Sequence, residues 1–240
     1  MSDALVIIPT YNEIENIEAI IRAVFSQEKM FHVLVVDDNS PDETAVRVKT
    51  LQQEFPDRLF LLERDNKNGL GLAYIAGFQW ALERSYDYIF EMDADFSHNP
   101  NDLIRLYNAC AIDGADISVG SRYVRGITVV NWPLTRILLS YGASRYVRFI
   151  TRMKVKDSTA GFICYKRTVL EAIDLSKVRF VGYAFQIEMK FKAYKKGFKI
   201  VEIPVIFKDR IKGKSKMSGS IISEAIFGVI SLKLKSLFSK

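Results

Sequence analysis

Residues 88–95 read Tyr-Ile-Phe-Glu-Met-Asp-Ala-Asp, an apolar run that ends in two carboxylates. The apolar run predicts a buried β-strand, and carboxylates spaced i, i+2 point to the same side of the chain where that strand meets solvent. Two close carboxylates repel each other unless a cation lies between them, and hard ions such as Mg²⁺ or Mn²⁺ favour oxygen ligands. Acidic pairs also cap strands and start turns routinely. We predict that Asp93 and Asp95 bind a divalent metal ion that carries a diphosphate.

Two more apolar runs end in polar residues. Residues 33–36 (Val-Leu-Val-Val) lead into Asp37-Asp38-Asn39-Ser40, and residues 5–8 (Leu-Val-Ile-Ile) lead into Pro9-Thr10-Tyr11-Asn12-Glu13. In parallel α/β sheets, ligands bind at the carboxyl ends of the strands. We therefore expect the three strand ends to meet in one polar crevice.

Helical patterns alternate with these strands. Apolar residues from Ile14 to Phe25 fit one helical face, and residues 40–43 (Ser-Pro-Asp-Glu) read as a capping box with proline at the first position of a second helix. Further helices are predicted over residues 73–84 and from Asn99-Pro100 onward, with strands at residues 59–62 and 116–120. This alternation predicts an α/β fold, a mostly parallel central sheet flanked by helices.

The composition is typical of one globular domain. The 240 residues are 49% hydrophobic and 26% charged. Cys110 and Cys164 follow no metal or redox spacing, which favours a reducing compartment. We recognise no secretory signal at the start of the sequence and no run of about 18 apolar residues, the length needed to span a bilayer. We expect a cytoplasmic or peripheral membrane protein.

The basic character of the chain narrows the choice of partner. A net charge of +6 suits nucleic acid, anionic lipid or a phosphorylated substrate. Arginine and lysine gather after residue 120, most densely over residues 190–216, whereas acidic residues dominate the strand ends. The sequence has neither zinc-finger spacing nor the aromatic strand pattern of an RNA-binding domain, so we expect no nucleic-acid partner. A phosphorylated substrate and a membrane surface remain.

Seven short motifs, in a fixed order along the chain, carry a resemblance to a known family. The motifs are residues 9–13 (Pro-Thr-Tyr-Asn-Glu), 37–42 (Asp-Asp-Asn-Ser-Pro-Asp), 68–71 (Asn-Gly-Leu-Gly), 92–98 (Met-Asp-Ala-Asp-Phe-Ser-His), 120–123 (Gly-Ser-Arg-Tyr), 182–188 (Gly-Tyr-Ala-Phe-Gln-Ile-Glu) and 210–216 (Arg-Ile-Lys-Gly-Lys-Ser-Lys). By these motifs the chain resembles the GT-A type glycosyltransferases of family 2, and among them the dolichol-phosphate and polyprenol-phosphate mannose synthases. The resemblance extends from residue 5 to about residue 220.

The resemblance implies roles for residues at the strand ends. A nucleoside diphosphate sugar would lie across the carboxyl edge of the sheet, with Asp93 and Asp95 on a Mg²⁺ or Mn²⁺ ion that neutralises the departing diphosphate. Asp95 and Arg122 are assigned to catalysis. The predicted nucleotide-sugar-binding residues are Pro9, Tyr11, Glu13, Val36, Asp38, Asp93, Ala94, Asp95, Arg122, Arg210 and Lys216.

Basic residues of the second half are matched to phosphate groups, because guanidinium groups bind phosphate bidentately. By resemblance, Arg210 and Lys216 belong to a loop that closes over the donor diphosphate. Arg122 would bridge donor and acceptor. Arg136 and Ser140 would hold the acceptor phosphate on an interfacial helix near residues 131–150.

Two further polar residues have competing interpretations. We interpret His98 as a turn residue rather than a metal ligand, since a hard cation prefers oxygen. Glu188 could serve as a general base toward a hydroxyl acceptor. In the present interpretation it supports the acceptor helix or pairs with nearby basic residues.

The implied reaction is an inverting transfer of mannose from GDP-mannose to a dolichyl or polyprenyl monophosphate, which gives a β-mannosyl phosphoryl lipid. A phosphate monoester is already largely anionic at neutral pH, so this acceptor needs no strong base. Two alternatives stay open. One is a prenyl-phosphate glucosyltransferase or another family 2 enzyme that uses a UDP-sugar, and the other is a non-catalytic adaptor that binds nucleotide sugars.

We expect two regions along the chain. Residues 1–207 would form the catalytic domain, and residues 208–240 a basic active-site loop followed by an amphipathic helix over residues 221–238. Amphipathic basic helices suit a peripheral position on the cytoplasmic face of a membrane. The resemblance leaves open whether a separate membrane subunit or a homo-oligomer takes part.

Overall fold

A seven-stranded sheet forms the centre of the protein. The computed structural model describes residues 2–182, 184–210, 228–234 and 236. The strands are β1 (Ala4–Thr10), β2 (His32–Asp37), β3 (Leu59–Glu63), β4 (Tyr88–Glu91), β5 (Ile117–Ser121), β6 (Val129–Val130), β7 (Ile163–Lys166), β8 (Ile200–Pro204) and β9 (Phe207–Lys208). The helices are α1 (Ile17–Phe25), α2 (Thr44–Glu54), α3 (Leu70–Leu82), α4 (Leu103–Ala111), α5 (Leu134–Thr151), α6 (Arg167–Ala172) and α7 (Ala184–Lys195).

The strand order in the large sheet is β3-β2-β1-β4-β7-β5-β8. Strand β7 runs antiparallel to both of its neighbours, β4 and β5, and the other pairs are parallel. A second, two-stranded sheet joins β6 and β9. The predicted mostly parallel α/β architecture is confirmed. The parallel order brings the ends of β1, β2 and β4 to one edge of the sheet.

Helices cover both faces of the sheet, which is why its strands are almost wholly apolar. Successive strand residues point to opposite faces. On β1, Val6 and Ile8 pack in one core cluster with residues of α1, α2 and α4. Leu5 and Ile7 pack in the other cluster, with residues of α3, α6 and α7.

Two local predictions on the helices are wrong. Ile14 precedes helix α1 and is 39% exposed, so it does not belong to the buried helical face. The capping box at residues 40–43 does not form: helix α2 begins at Thr44, and Glu43 has a left-handed backbone. The Ser40 hydroxyl instead donates to Asp37, while Asp42 accepts from the Thr44 N–H at 3.1 Å. Asp42 replaces serine because its carboxylate reaches the first turn of the helix.

The second half contains the segment expected at the membrane. The predicted interfacial helix near residues 131–150 coincides with α5, and its buried side packs on residues 228–234, which are helical. The rest of the predicted helix over residues 221–238 lies largely outside the described residues, as does the loop with Lys216. The boundary at residue 207 stays a prediction. Within the described ranges, no helix is long and apolar enough to cross a membrane.

Close packing of α3 on the sheet generates a stability prediction. A Cβ atom at Gly77 would lie 2.7 Å from Cγ2 of Ile7, a fully buried side chain. We expect Gly77→Ala to lower the free energy of unfolding by about 1–2 kcal/mol, because overpacking outweighs the better helix propensity of alanine. Urea denaturation measures the change.

The matched control for this substitution is Gly142→Ala. Gly142 is also within a helix, but no heavy atom lies within 4 Å of the added Cβ. That variant should be as stable as the wild type or up to about 1 kcal/mol more stable. A Gly77→Ala protein that equals the Gly142→Ala protein in stability would contradict the packing account.

Candidate active site

The turn after β4 holds the two predicted metal ligands. The His98 Nδ1 accepts a hydrogen bond from the Asp93 N–H at 3.1 Å, and the Ser97 N–H donates to Asp95 Oδ1 at 3.0 Å. Burial lowers the pKa of His98, so its ring is neutral and can accept this bond. The ring also stacks on Phe162, with centroids 4.9 Å apart. His98 therefore lies in the turn as expected and helps to fix its shape.

The closely spaced carboxylates of this turn favour a bound cation. Burial raises the pKa of Asp93, the nearby Asp95 carboxylate raises it further, and the Arg210 guanidinium acts in the opposite direction. Arg210 Nη2 lies 2.8 Å from Asp95 Oδ2, and its Nη1 lies 3.9 Å from Glu13 Oε1. The structure thus brings Asp93, Asp95, Glu13 and Arg210 together, with Arg210 supplying positive charge to the carboxylates.

The oxygen donors of the turn fit a hard divalent ion. The part of the chain that the structure describes contains no group of three or more histidine, cysteine, aspartate or glutamate side chains arranged for a metal. Two carboxylates suffice for Mg²⁺, which is usually held by one or two carboxylates together with substrate phosphates and water. The side chain of Asp93 is 38% exposed, so it can be reached from the crevice. Ala94 is buried in the core and can contribute only its main chain.

The ends of β1 and β2 form the predicted nucleoside side of the site. Pro9 and Val36 are neighbours in the sheet register. The Val36 side chain is fully buried, so this residue can reach a nucleoside only through its main chain. Tyr11 lies on the following turn, with the Lys67 Nζ 4.1 Å from its ring centroid. The structure therefore places these residues at one sheet edge.

The two aspartates at the end of β2, Asp37 and Asp38, have different roles. Asp37 accepts hydrogen bonds from Thr10 Oγ1 at 2.8 Å and from the Ser40 N–H at 2.9 Å, so it fixes the turn. Asp38 pairs with Arg64, with 2.9 Å between the oxygen and nitrogen atoms, and burial raises the pKa of Asp38. Asp38 remains the predicted nucleoside ligand, and no motif in the sequence indicated its partner Arg64.

Arg122 follows β5 and is held rigidly. Its Nε and Nη2 donate to the two carboxylate oxygens of Asp157 at 2.7 and 2.6 Å, and Nη2 also donates to Thr159 Oγ1 at 2.9 Å. Burial of this ion pair is nearly complete. Sequence reasoning identified Arg122 but missed Asp157. The polar run at residues 157–159 (Asp-Ser-Thr), just before the apolar strand β7, was the available signal.

Arg136 and Ser140 lie one turn apart on α5, close to Arg122. Both arginines lie close to the indole of Trp132: its centroid is 4.0 Å from the Arg136 guanidinium carbon and 5.5 Å from that of Arg122. Arg136 also pairs with Asp209 at 3.0 Å, and Ser140 Oγ accepts from the Tyr123 hydroxyl at 2.8 Å. The structure therefore brings the predicted acceptor-phosphate residues together.

Two predicted residues are placed elsewhere or not described. Glu188 accepts hydrogen bonds from the backbone N–H groups of Arg179 and Phe180 at 2.9 and 3.1 Å and pairs with Lys192 at 3.1 Å. It is thus the partner of a basic residue, one of the two roles expected. Lys216 lies outside the described residues, so its predicted place beside the diphosphate stays a prediction.

The contact between Arg210 and Asp95 generates a binding prediction. A guanidinium on Asp95 competes with a metal ion for the same carboxylate oxygens. We expect Arg210→Gln to tighten Mn²⁺ binding to the nucleotide-free protein by about fivefold, equivalent to roughly 1 kcal/mol for a partly exposed ion pair. Isothermal titration with MnCl₂ measures this change.

The control is Lys49→Gln, which removes an exposed ion pair with Glu63 on the surface. It should leave Mn²⁺ affinity unchanged. Weaker Mn²⁺ binding by Arg210→Gln, with the control unaffected, would show that Arg210 does not compete for the metal site.

Comparison with known proteins agrees with this geometry. The family described as Glycosyl transferase family 2 matches residues 5–174. A polyprenol monophosphomannose synthase from Mycolicibacterium smegmatis is 50% identical over 225 residues, 94% of this chain and 84% of that protein. An undecaprenyl-phosphate mannosyltransferase from Micrococcus luteus is 45% identical over 94% of this chain and 91% of its own length.

Solved structures show the same fold at much lower sequence identity. The glucosyl-3-phosphoglycerate synthase of Mycobacterium tuberculosis, solved with Mn²⁺, UDP and glucosyl-3-phosphoglycerate, superposes with a TM-score of 0.70. It is 16% identical, and the match covers 99% of this chain and 80% of that one. The predicted GT-A fold is thereby confirmed, and the chain belongs to glycosyltransferase family 2.

Proposed function

We propose that the protein transfers mannose from GDP-mannose to a polyprenyl monophosphate, with inversion at the anomeric carbon. One observation carries the proposal: the chain is 50% and 45% identical, over 94% of its length, to two proteins named as a polyprenol monophosphomannose synthase and an undecaprenyl-phosphate mannosyltransferase. Both matches extend over 225 of the 240 residues. The product would be a β-mannosyl phosphoryl lipid.

The donor half of the proposal uses the acidic turn. Asp93 and Asp95 would hold Mg²⁺ or Mn²⁺, which when bound neutralises charge on the departing diphosphate. Arg210 already lies against Asp95, so it is placed to follow the diphosphate once the carboxylates bind a metal ion. Tyr11, Glu13 and Asp38 would contact the nucleoside at the ends of β1 and β2. The donor therefore spans the three strand ends.

The acceptor half uses the arginine cluster. The phosphate of a prenyl phosphate is largely anionic at neutral pH, so it can attack without a general base. Catalysis then depends on positioning and charge stabilisation. Arg122 and Arg136, which both contact the Trp132 ring, would hold that phosphate with Ser140.

Contact with a membrane surface is part of the proposal, because the acceptor is a lipid. Along α5, one exposed stripe carries Leu134, Leu138, Tyr141 and Phe149, whose exposed fractions are 68%, 60%, 37% and 67%. A shallow groove beside this stripe is lined by Tyr141, Arg145, Arg148, Phe149, Arg152 and Met153.

The charge around this stripe suits an anionic surface. Between Asp116 and Asp157 the sequence contains no carboxylate side chain but eight arginines and lysines. Apolar side chains flanked by cations favour peripheral binding at a lipid interface. We propose that α5 lies against the cytoplasmic face of the membrane and delivers the acceptor phosphate to Arg136.

The decisive assay for the reaction is a donor panel. Purified protein is incubated with Mg²⁺ or Mn²⁺, a short-chain polyprenyl phosphate, and either GDP-mannose or UDP-glucose, and products are identified by mass spectrometry. A mannosyl phosphoryl lipid from GDP-mannose alone supports the proposal. Turnover only with UDP-glucose would overturn the donor, and no product with either would favour a non-catalytic adaptor or a missing membrane partner.

Loss of one carboxylate should abolish the reaction without unfolding the protein. We expect Asp95→Asn to lower turnover of GDP-mannose by at least about a hundredfold, since the metal ion that would neutralise the leaving diphosphate loses a carboxylate ligand. The control is Asp113→Asn, an exposed residue at the far end of α4. Circular dichroism monitors the fold. Turnover by Asp95→Asn within a fewfold of the control would rule out a catalytic metal at this turn.

A membrane contact through α5 predicts a specific loss of vesicle binding. We expect the double variant Leu138→Glu/Phe149→Glu to bind vesicles containing anionic lipid at least about tenfold more weakly, because two apolar side chains no longer enter the interface. Co-sedimentation measures the affinity, and titration with GDP should show unchanged nucleotide binding.

The matched control for vesicle binding is Val46→Glu/Ile112→Glu. Both positions are exposed, at 56% and 73%, but they lie on α2 and at the end of α4 rather than on α5. Equal vesicle binding by the two double variants would contradict the assignment of α5 to the membrane.

A further inference from the structure

Helix α7 carries a lysine in a position where a lysine is rarely found. Lys190 is fully buried, and its Nζ donates hydrogen bonds to the backbone carbonyls of Ser158, Ala160 and Gln186 at 3.2, 2.6 and 3.2 Å. An ammonium group has three N–H donors, so these three acceptors satisfy it completely. A buried charge is costly, and an apolar residue of similar volume would fill the space at less cost. Filling of the core therefore does not explain this lysine.

The carbonyls that Lys190 contacts belong to the loop that holds Arg122. Ser158 and Ala160 flank Thr159, whose hydroxyl accepts a hydrogen bond from Arg122 Nη2 at 2.9 Å. Asp157, the bidentate partner of Arg122, directly precedes Ser158. The loop has no helix or strand here, and the Lys190 side chain pairs with the Ser158 and Ala160 carbonyls. Lys190 thus anchors the backbone of the loop whose side chains hold Arg122.

The same helix face is tied to the strand that leads into the acidic turn. Gln186, one turn before Lys190, donates a hydrogen bond to the carboxylate of Glu91. Glu91 is fully buried at the end of β4, two residues before Asp93. Burial lowers the pKa of Lys190 to about 8, and the nearby Glu91 carboxylate acts in the opposite direction. Helix α7 therefore joins the strand of the metal ligands to the loop of the acceptor arginine.

We propose that Lys190 is a positioning residue for the transfer reaction: it clamps residues 158–160 so that Asp157 and Thr159 orient the Arg122 guanidinium toward the acceptor phosphate. Lys190 acts through Arg122 and touches no substrate. The kinetic consequence rests on the proposed mannosyl transfer. The structural consequence, an ordered Arg122, does not.

Two variants distinguish two roles of Lys190: holding the carbonyls of residues 158 and 160, and compensating the charge of Glu91. Lys190→Met removes the three hydrogen bonds and leaves Glu91 without its nearby cation. Glu91→Gln/Lys190→Met removes both charges, so the core is again neutral while the loop carbonyls still lack their donor. Lys192→Met, on the same helix, is the matched control. This substitution removes only an ion pair with Glu188 and a hydrogen bond to the exposed Lys177 carbonyl.

The first readout is the environment of Trp132, which does not depend on turnover. The chain has two tryptophans, so Trp80→Phe leaves Trp132 as the single reporter, 5.5 Å from the Arg122 guanidinium. We expect acrylamide to quench Trp132 more strongly in Lys190→Met and in the neutral double variant than in the wild type. Quenching in Lys192→Met should equal that of the wild type.

The second readout is a kinetic cycle with Arg122→Gln. Misplacing a catalytic group by about 1 Å costs up to about a hundredfold in rate, so we expect Lys190→Met to lower kcat by about 10- to 100-fold with the KM for GDP-mannose nearly unchanged. If Lys190 acts through Arg122, the Arg122→Gln/Lys190→Met protein is no slower than Arg122→Gln alone. Losses that multiply in the double variant would overturn the proposal.

The neutral double variant decides between the two roles of Lys190. Low kcat and stronger Trp132 quenching, at a melting temperature near that of the wild type, support loop clamping. Wild-type kcat and quenching would overturn it, because Lys190 would then only balance Glu91. Failure of both Lys190 variants to fold would also overturn it. If the wild type makes no mannosyl lipid, the proposed function fails. The quenching of Trp132 then still tests whether Lys190 orders Arg122.

Discussion

Repulsion between the carboxylates of Asp93 and Asp95 is the constraint on which the site depends. The short turn after β4 holds both side chains near Glu13 at one edge of a buried sheet, and the His98 ring and the Ser97 N–H fix that turn. Positive charge must compensate them, and in this structure Arg210 does so from 2.8 Å. A metal ion with a diphosphate would satisfy the same carboxylates and release Arg210 for the phosphate groups.

Positive charge organises the proposed acceptor side. Arg122 is buried, and its bidentate pair with Asp157 fixes the orientation of the guanidinium. Trp132 connects it to Arg136 on α5, and Asp209, the partner of Arg136, directly precedes Arg210. The proposed donor and acceptor sides of the crevice therefore meet through residues 209 and 210.

The spacing of apolar residues and the polar residues at the strand ends were enough to predict the parallel sheet and its two helical layers. They also predicted the edge where Asp38, Asp93 and Asp95 lie. These features depend on local patterns, which a sequence displays directly. The predicted capping box does not form because the Ser40 hydroxyl binds Asp37, and Asp42 accepts from the N–H of Thr44, where helix α2 begins. Asp157 and Lys190 were missed because their partners are distant in sequence. Lys190 reads as part of a basic run, and only the packing of α7 shows that it is buried.

The most direct test of this account is a calorimetric titration of the wild-type protein with GDP, in Mn²⁺ and then in EDTA. If the carboxylate pair holds a metal ion that carries the diphosphate, GDP binds at least about tenfold more tightly with Mn²⁺, a difference of about 1.4 kcal/mol. Equal affinity in the two buffers would contradict the account, because the diphosphate would then bind without the cation that Asp93 and Asp95 are arranged to hold.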